Sequence, residues 1–185
     1  MLKFILITLA ILVLGAGCSR VAQRDRTPSP SIGAPIEIPP TDAPSPQFGT
    51  LPNLTLSDYE GNTVRLRDFG GQPLVVNAWA AWCPFCRREL KDFVAAQKEV
   101  GDRVVFIAID RAEDLATAKR YTDELNVTGE LLLLLDPKDS FYQSIGGFSM
   151  PETIFVDARG NIAQHRRGPM DLNEIRERTQ RLLVQ

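Results

Sequence analysis

From Phe48 onward, apolar and polar residues alternate in two distinct periods. Val104–Ile109 is a continuous apolar run, the mark of a strand buried on both faces. Leu131–Leu135 predicts another such strand, and Leu74–Trp79 a third, set off by the breaking segment Gly70-Gly71-Gln72-Pro73. A helical period takes over after residue 86, with Leu90, Phe93, Val94 and Val100 on one face and Gly101 as the stop. Glu113–Leu125 predicts a second helix, and Lys138–Ile145 a short third one ended by Gly146-Gly147. Period-two runs appear at both ends of this region. Asn53–Ser57 and Thr63–Leu66 flank Asp58-Tyr59-Glu60-Gly61-Asn62 as a hairpin, and Thr153–Val156 and Ile162–His165 flank Asp157–Asn161. Asp171 then caps a last amphipathic helix that runs to about Val184. Strands alternate with helices before a hairpin and a closing helix, so the pattern predicts an α/β sandwich around a mixed central sheet.

The first 47 residues follow neither period. Met1–Lys3 carries one positive charge, and Phe4–Gly17 is a run of 14 residues with only Thr8 polar. A membrane span needs about 20 residues, so this length predicts a signal-peptide core over residues 1–17. It ends Leu14-Gly15-Ala16-Gly17-Cys18-Ser19, which is similar to a bacterial lipoprotein signal in which cleavage leaves Cys18 lipid-modified. One departure is plain: Gly15 occupies the place usually held by a large aliphatic residue, and Leu14 falls one position early. Residues 18–47 hold seven prolines between Pro28 and Pro46 and few large apolar side chains. Such a segment cannot bury a core and predicts an extended, lipid-anchored tether. Residues 48–185 are then the folded domain, facing an extracytoplasmic compartment of the bacterial envelope.

Composition narrows the function. The chain has 185 residues, 44% hydrophobic and 24% charged, with a net charge of −2. Charges of both signs are interspersed, so no basic footprint for nucleic acid exists. Of three cysteines, Cys18 belongs to the leader, and Cys83 and Cys86 form a Cys-x-x-Cys pair; none is left for structural bridges. Zinc would lack ligands, since there is no second cysteine pair and His165 is the only histidine. No metal or organic cofactor is expected; the redox group is the Cys83–Cys86 dithiol/disulfide itself. A strand that delivers this pair to a helix start favours the thiolate of the first cysteine. On that reading Cys83 stands at the helix N-terminus, Pro84 fills the first helical position and Cys86 follows one turn on. Arg87 and Arg88 read as a solvated helix face, Trp79 and Trp82 as packing and shielding, and His165 as structural.

Two motifs about 65 residues apart are recognisable: Trp79-Ala-Ala-Trp82-Cys83-Pro84-Phe85-Cys86 with Glu89, and Met150-Pro151-Glu152-Thr153-Ile154-Phe155-Val156-Asp157. Together they resemble the TlpA/ResA group of thioredoxin-like proteins, and within it the DsbE/CcmG branch, over roughly Phe48 to the C-terminus. The resemblance implies a thioredoxin-like fold with an added N-terminal β-hairpin and a central strand–helix insert. It implies thiol–disulfide exchange outside the cytoplasm, commonly reductive, as in preparing apocytochrome c cysteines for haem attachment. Protein disulfides would be the substrates and a membrane carrier of the DsbD/CcdA type the electron donor. Cys83 would be the nucleophile, Cys86 the resolving thiol and Glu89 a proton partner, with a surface salt bridge as the alternative for Glu89. Trp82, Pro84, Phe85, Met150 and Pro151 would face substrate, Met150-Pro151 as a cis-proline loop. Two features depart from the group: Ser149 stands where glycine is common, and the leader resembles a lipoprotein signal rather than an uncleaved helix. Pro84-Phe85 is compatible with either direction of electron flow, so a disulfide-donating oxidase is the alternative. A Sco-type copper chaperone fits less well, because that group spaces its cysteines one residue wider.

Overall fold

The computed structural model describes residues 48–184. The predicted leader, Cys18 and the proline-rich segment lie outside the described residues. A seven-stranded mixed sheet forms the centre, built from β1 (Thr55–Asp58), β2 (Thr63–Arg65), β3 (Leu74–Trp79), β4 (Val105–Arg111), β5 (Leu132–Asp136), β6 (Glu152–Val156) and β7 (Ile162–Arg167). Its order is β2-β1-β5-β4-β3-β6-β7. The strands β3, β4 and β5 run parallel, and the two hairpins close the sheet antiparallel at each end. The helices are α1 (Cys86–Val100), α2 (Leu115–Leu125), α3 (Ser140–Ser144) and α4 (Leu172–Leu183).

Each element has a local cause. The Asp58 carboxylate closes the first hairpin by accepting from the backbone N–H groups of Glu60 and Asn62 at 3.0 and 2.8 Å. Asp114 and Asp171 cap α2 and α4 by accepting from Thr117 N and Glu174 N, at 2.7 and 2.9 Å. Every residue of β3 is buried, as is the centre of β4, because both sheet faces are covered. Leu90, Phe93 and Ala96 of α1 pack with Ala118 of α2 and Ile175 of α4 over one face. Leu66 and Phe141 pack over the other, with Leu56, Val76, Ala78 and Ile109. The unit β5–α3 is the predicted central insert, and it lies between the N-terminal hairpin and β4 in the sheet. The last hairpin extends further than its pattern suggests: β7 continues past His165 to Arg167, which pairs with Glu152 in register.

Candidate active site

The strand β3 ends at Trp79, and the chain turns twice before α1 begins. Cys83 and Cys86 are joined as a disulfide across this turn, with Cα atoms 5.4 Å apart. The helix begins two residues later than the spacing suggests. Cys86, not Pro84, is its first residue, and Phe85 precedes it. Cys83, Pro84 and Phe85 instead form a tight turn, in which Cys86 N–H donates to Cys83 O at 3.2 Å. The same N–H lies 3.2 Å from Cys83 Sγ. It is the one hydrogen bond to that sulfur among the described residues. Cys83 is 2% exposed and Cys86 is fully buried, while Trp82 and Phe85 stand out at 62% and 61%. Trp79 does pack, buried and stacked on Tyr121 with ring centres 5.4 Å apart. Trp82 does not: it projects into solvent beside the disulfide.

Behind the cysteines, on the same sheet face as α1, lies a buried polar network. Glu89 is 1% exposed and accepts from Asn77 Nδ2 at 3.1 Å and from Met170 N–H at 2.9 Å. Asn77 also donates to Thr153 Oγ1 at 3.0 Å. Both donors to Glu89 are neutral, and burial pushes its carboxyl up to about 8. The surface salt bridge considered for Glu89 is therefore absent; it is an interior acid three residues beyond Cys86, hence on the same helical face.

The peptide Met150-Pro151 is cis, as the resemblance implies. Pro151 is buried, and Met150 packs against the cluster that contains both cysteines. Glu152, fully buried, holds the loop that leads there, accepting from Phe148 N–H at 2.9 Å and Ser149 N–H at 3.2 Å. Its other oxygen meets Arg167 Nε at 2.9 Å and lies 2.8 Å from His165 Nε2. Burial lowers the His165 pKa, so the imidazole is neutral near pH 7. Tyr142 of α3 donates to Ser149 O at 3.1 Å and carries the Arg111 guanidinium 3.6 Å above its ring.

On a third side, Glu113 accepts from Ala81 N–H at 2.7 Å and fixes the segment between β3 and the disulfide. Asp110, at the end of β4, is fully buried beside it; burial and the neighbouring Glu113 push its carboxyl well up.

Comparison with known proteins agrees with this geometry. The redoxin family model matches residues 47–180. The DsbE thiol:disulfide interchange protein of Allochromatium vinosum is 39% identical over 139 residues, covering 74% of this chain and 71% of its own. The chain belongs to the redoxin family. Its homologues include the ResA thiol-disulfide oxidoreductase of Geobacillus thermodenitrificans, 25% identical over 131 residues and covering 69% of this chain and 73% of that one. Among solved structures, the exposed lipoprotein thioredoxin of Streptococcus pneumoniae superposes with a TM-score of 0.64 at 26% identity, covering 71% of this chain and all of that one. The redoxin domain described here is thus a thioredoxin-like thiol-disulfide oxidoreductase of the DsbE/ResA type, with Cys83 and Cys86 as its Cys-x-x-Cys pair.

Five residues of the redoxin site carry no sequence signal strong enough to single them out: Asn77, Glu113, Tyr142, Glu152 and Thr153. Glu152 and Thr153 lie inside the recognised Pro-Glu-Thr motif without a role of their own there. Asn77 had one available clue, a polar residue in the middle of a strand that is otherwise apolar.

Proposed function

We propose that the chain is a membrane-tethered, extracytoplasmic thiol-disulfide oxidoreductase that reduces protein disulfides, with apocytochrome c as a candidate substrate. What supports the reductive reading is the sparse hydrogen bonding of Cys83 in the disulfide form, whose sulfur has a single backbone donor among the described residues. A thiolate with few donors gains little stabilisation, and a couple whose reduced form is poorly stabilised gives up its electrons readily. In the reduced protein, the Cys83 thiolate attacks a substrate disulfide, forms a mixed disulfide and releases the first substrate thiolate. Cys86 then attacks Cys83 Sγ, which forms the Cys83–Cys86 disulfide and releases the second. Two electrons pass to the substrate, and a membrane dithiol carrier of the DsbD/CcdA type restores the pair. Glu89 is the proton partner of Cys86: its carboxyl, pushed up to about 8, lies close to the usual thiol range of about 8.5, so a proton moves between them at little cost. The cis-proline loop and the exposed rings of Trp82 and Phe85 form the face that a substrate meets.

Residues 1–17 serve in this reading as a cleaved signal, Cys18 as the lipid anchor and residues 19–47 as the tether. The likeness to an exposed lipoprotein thioredoxin supports it. The deciding experiment is the reduction potential of the Cys83–Cys86 couple. A value at or below about −270 mV is expected, and one near about −120 mV would make the protein a disulfide donor. Cys83→Ser should abolish reduction of a model disulfide, and Cys86→Ser should accumulate mixed disulfides. Fatty-acid labelling should disappear in Cys18→Ala.

A further inference from the structure

Beside the disulfide runs a groove of about 650 Å³, walled by Pro84 and Phe85 on one side and by Pro169 and Met170 on the other. Arg87, Arg88 and Lys91 line it. We propose that this groove docks an acidic, extended segment of the substrate protein, next to its reactive cysteine; the inference rests on the oxidoreductase reading above and assigns its substrate class.

Charge is the first argument. Six described basic side chains make no ion pair with another described residue: Arg87, Arg88, Lys91, Arg103, Arg120 and Lys138. Three of the six fall within five residues of one another, all in this groove. Two acids lie in or near it. Asp171 is occupied in capping α4 through Glu174 N–H, and Asp92 makes no ion pair among the described residues despite sensing Arg88. Glu89, beneath the groove, is mostly protonated at neutral pH and offsets nothing.

Helix energetics is the second. Arg87 and Arg88 occupy the first turn of α1, where the macrodipole disfavours cations, and Lys91 follows in the second. Helix stability therefore does not explain them. Arg87 has one partial restraint, the Tyr121 ring 5.8 Å away, and Arg88 and Lys91 have none of that kind. Cations at this end are anchored by an incoming carboxylate, which a guanidinium receives with two parallel hydrogen bonds.

Surface character is the third. Phe48, Trp82, Phe85, Leu115, Phe148 and Val184 are the large apolar side chains exposed among the described residues. Phe85 lines the cationic groove itself, and Trp82 and Phe148 stand exposed on the two loops that carry the disulfide and the cis-proline. Aromatic anchors bordered by arginines make a recognition surface for a polypeptide chain.

The test compares two disulfide-bridged peptides of equal length, with glutamates or lysines flanking the cystine, reduced by the full-length chain in its dithiol form. The acidic peptide should react at least about tenfold faster at low ionic strength, and the ratio should fall toward one as salt shortens the Debye length from about 30 Å to about 3 Å. The double variant Arg87→Glu/Arg88→Glu should invert the ratio, and a ratio cancels any change in intrinsic Cys83 reactivity. Should that variant fold poorly, Lys91→Ala and the salt dependence of the unaltered chain carry the same test. A ratio near one in a chain that reduces the neutral hydroxyethyl disulfide overturns the docking proposal alone. No reduction of the neutral disulfide overturns the oxidoreductase reading itself.

Discussion

Glu89 and Glu152 are both buried at 1% exposure or less, both within the site, and built for opposite ends. They lie on opposite faces of the sheet. Thr153 pairs with Asn77, and its side chain joins the network of Glu89, whereas Glu152 precedes it in β6 and points the other way. Glu89 has only neutral donors, Asn77 Nδ2 and Met170 N–H, and no cation in contact. Glu152 has two backbone N–H groups and the Arg167 guanidinium. A buried carboxyl left without a cation keeps its proton and can trade it. One clasped by a cation and two amides becomes a bracket for a loop. The same residue type is thus held as a neutral acid on one face and as a loop bracket on the other, and the partners decide which.

The comparison breaks most visibly at Glu152. Replacing it by alanine orphans the Phe148 and Ser149 amides and frees Arg167, which is half exposed and can turn to solvent. The expected loss is roughly 3–4 kcal/mol of stability, read as a fall in the denaturant midpoint of the oxidised protein. The cis-proline loop should also lose hydrogen-exchange protection at Phe148 and Ser149. An unchanged midpoint would mean that Glu152 brackets nothing.

At Glu89 the prediction concerns pH. Folded, its carboxyl stays protonated to about pH 8, whereas its ordinary pKa is 4.5. Between those values the unfolded chain binds fewer protons than the folded one, so the stability that Glu89 confers falls as pH rises from 4.5 to 8 and is level above that. The full effect is at most on the order of 5 kcal/mol. Glu89→Gln should remove it, so that the difference in unfolding free energy between variant and parent grows in favour of the variant from pH 5 to pH 8. Asp110 has a pKa raised in the same direction and tilts both curves alike, so subtraction isolates Glu89. A difference that stays flat over this window would show that Glu89 is already ionised, and its proton role would go with it.

How far such a comparison could be read from the chain alone follows from where each signal resides. Continuous apolar runs in β3 and β4 mark strands because both faces are covered, and the spacing Leu90-Phe93-Val100 marks α1 because one face is. Cys83, Cys86 and Pro151 are legible because their chemistry is bound to short motifs. The start of α1 is not: Pro84 suits a first helical position, yet the turn closed by Cys86 N–H on Cys83 O delays the helix. The contact of Glu113 with Ala81 bridges 32 residues and depends on the loop after β4, where Ala112 adopts φ 61°, so no local pattern announces it. Glu152 and Thr153 were visible as letters of a motif, but their separate duties require the sheet register that sends one to each face.

The smallest effect sharpens the picture of the bracket. Glu152 holds the loop by its N–H groups, and Tyr142 holds it by a carbonyl, donating to Ser149 O at 3.1 Å. Tyr142→Phe deletes only that donor; the ring stays under Arg111, whose guanidinium is also tied to Asp139. Ring position is set closely, because a Cβ on Gly147 would come within 2.5 Å of it. The phenylalanine therefore has nowhere else to go, and the loss should be that of one neutral hydrogen bond, about 1 kcal/mol. It should appear in the denaturant midpoint and leave the pH dependence assigned to Glu89 unaltered, since the two lie on different sheet faces. A loss as large as that of Glu152→Ala would mean that the carbonyl side holds the loop as firmly as the amide side, and the bracket would then belong to α3 as much as to Glu152.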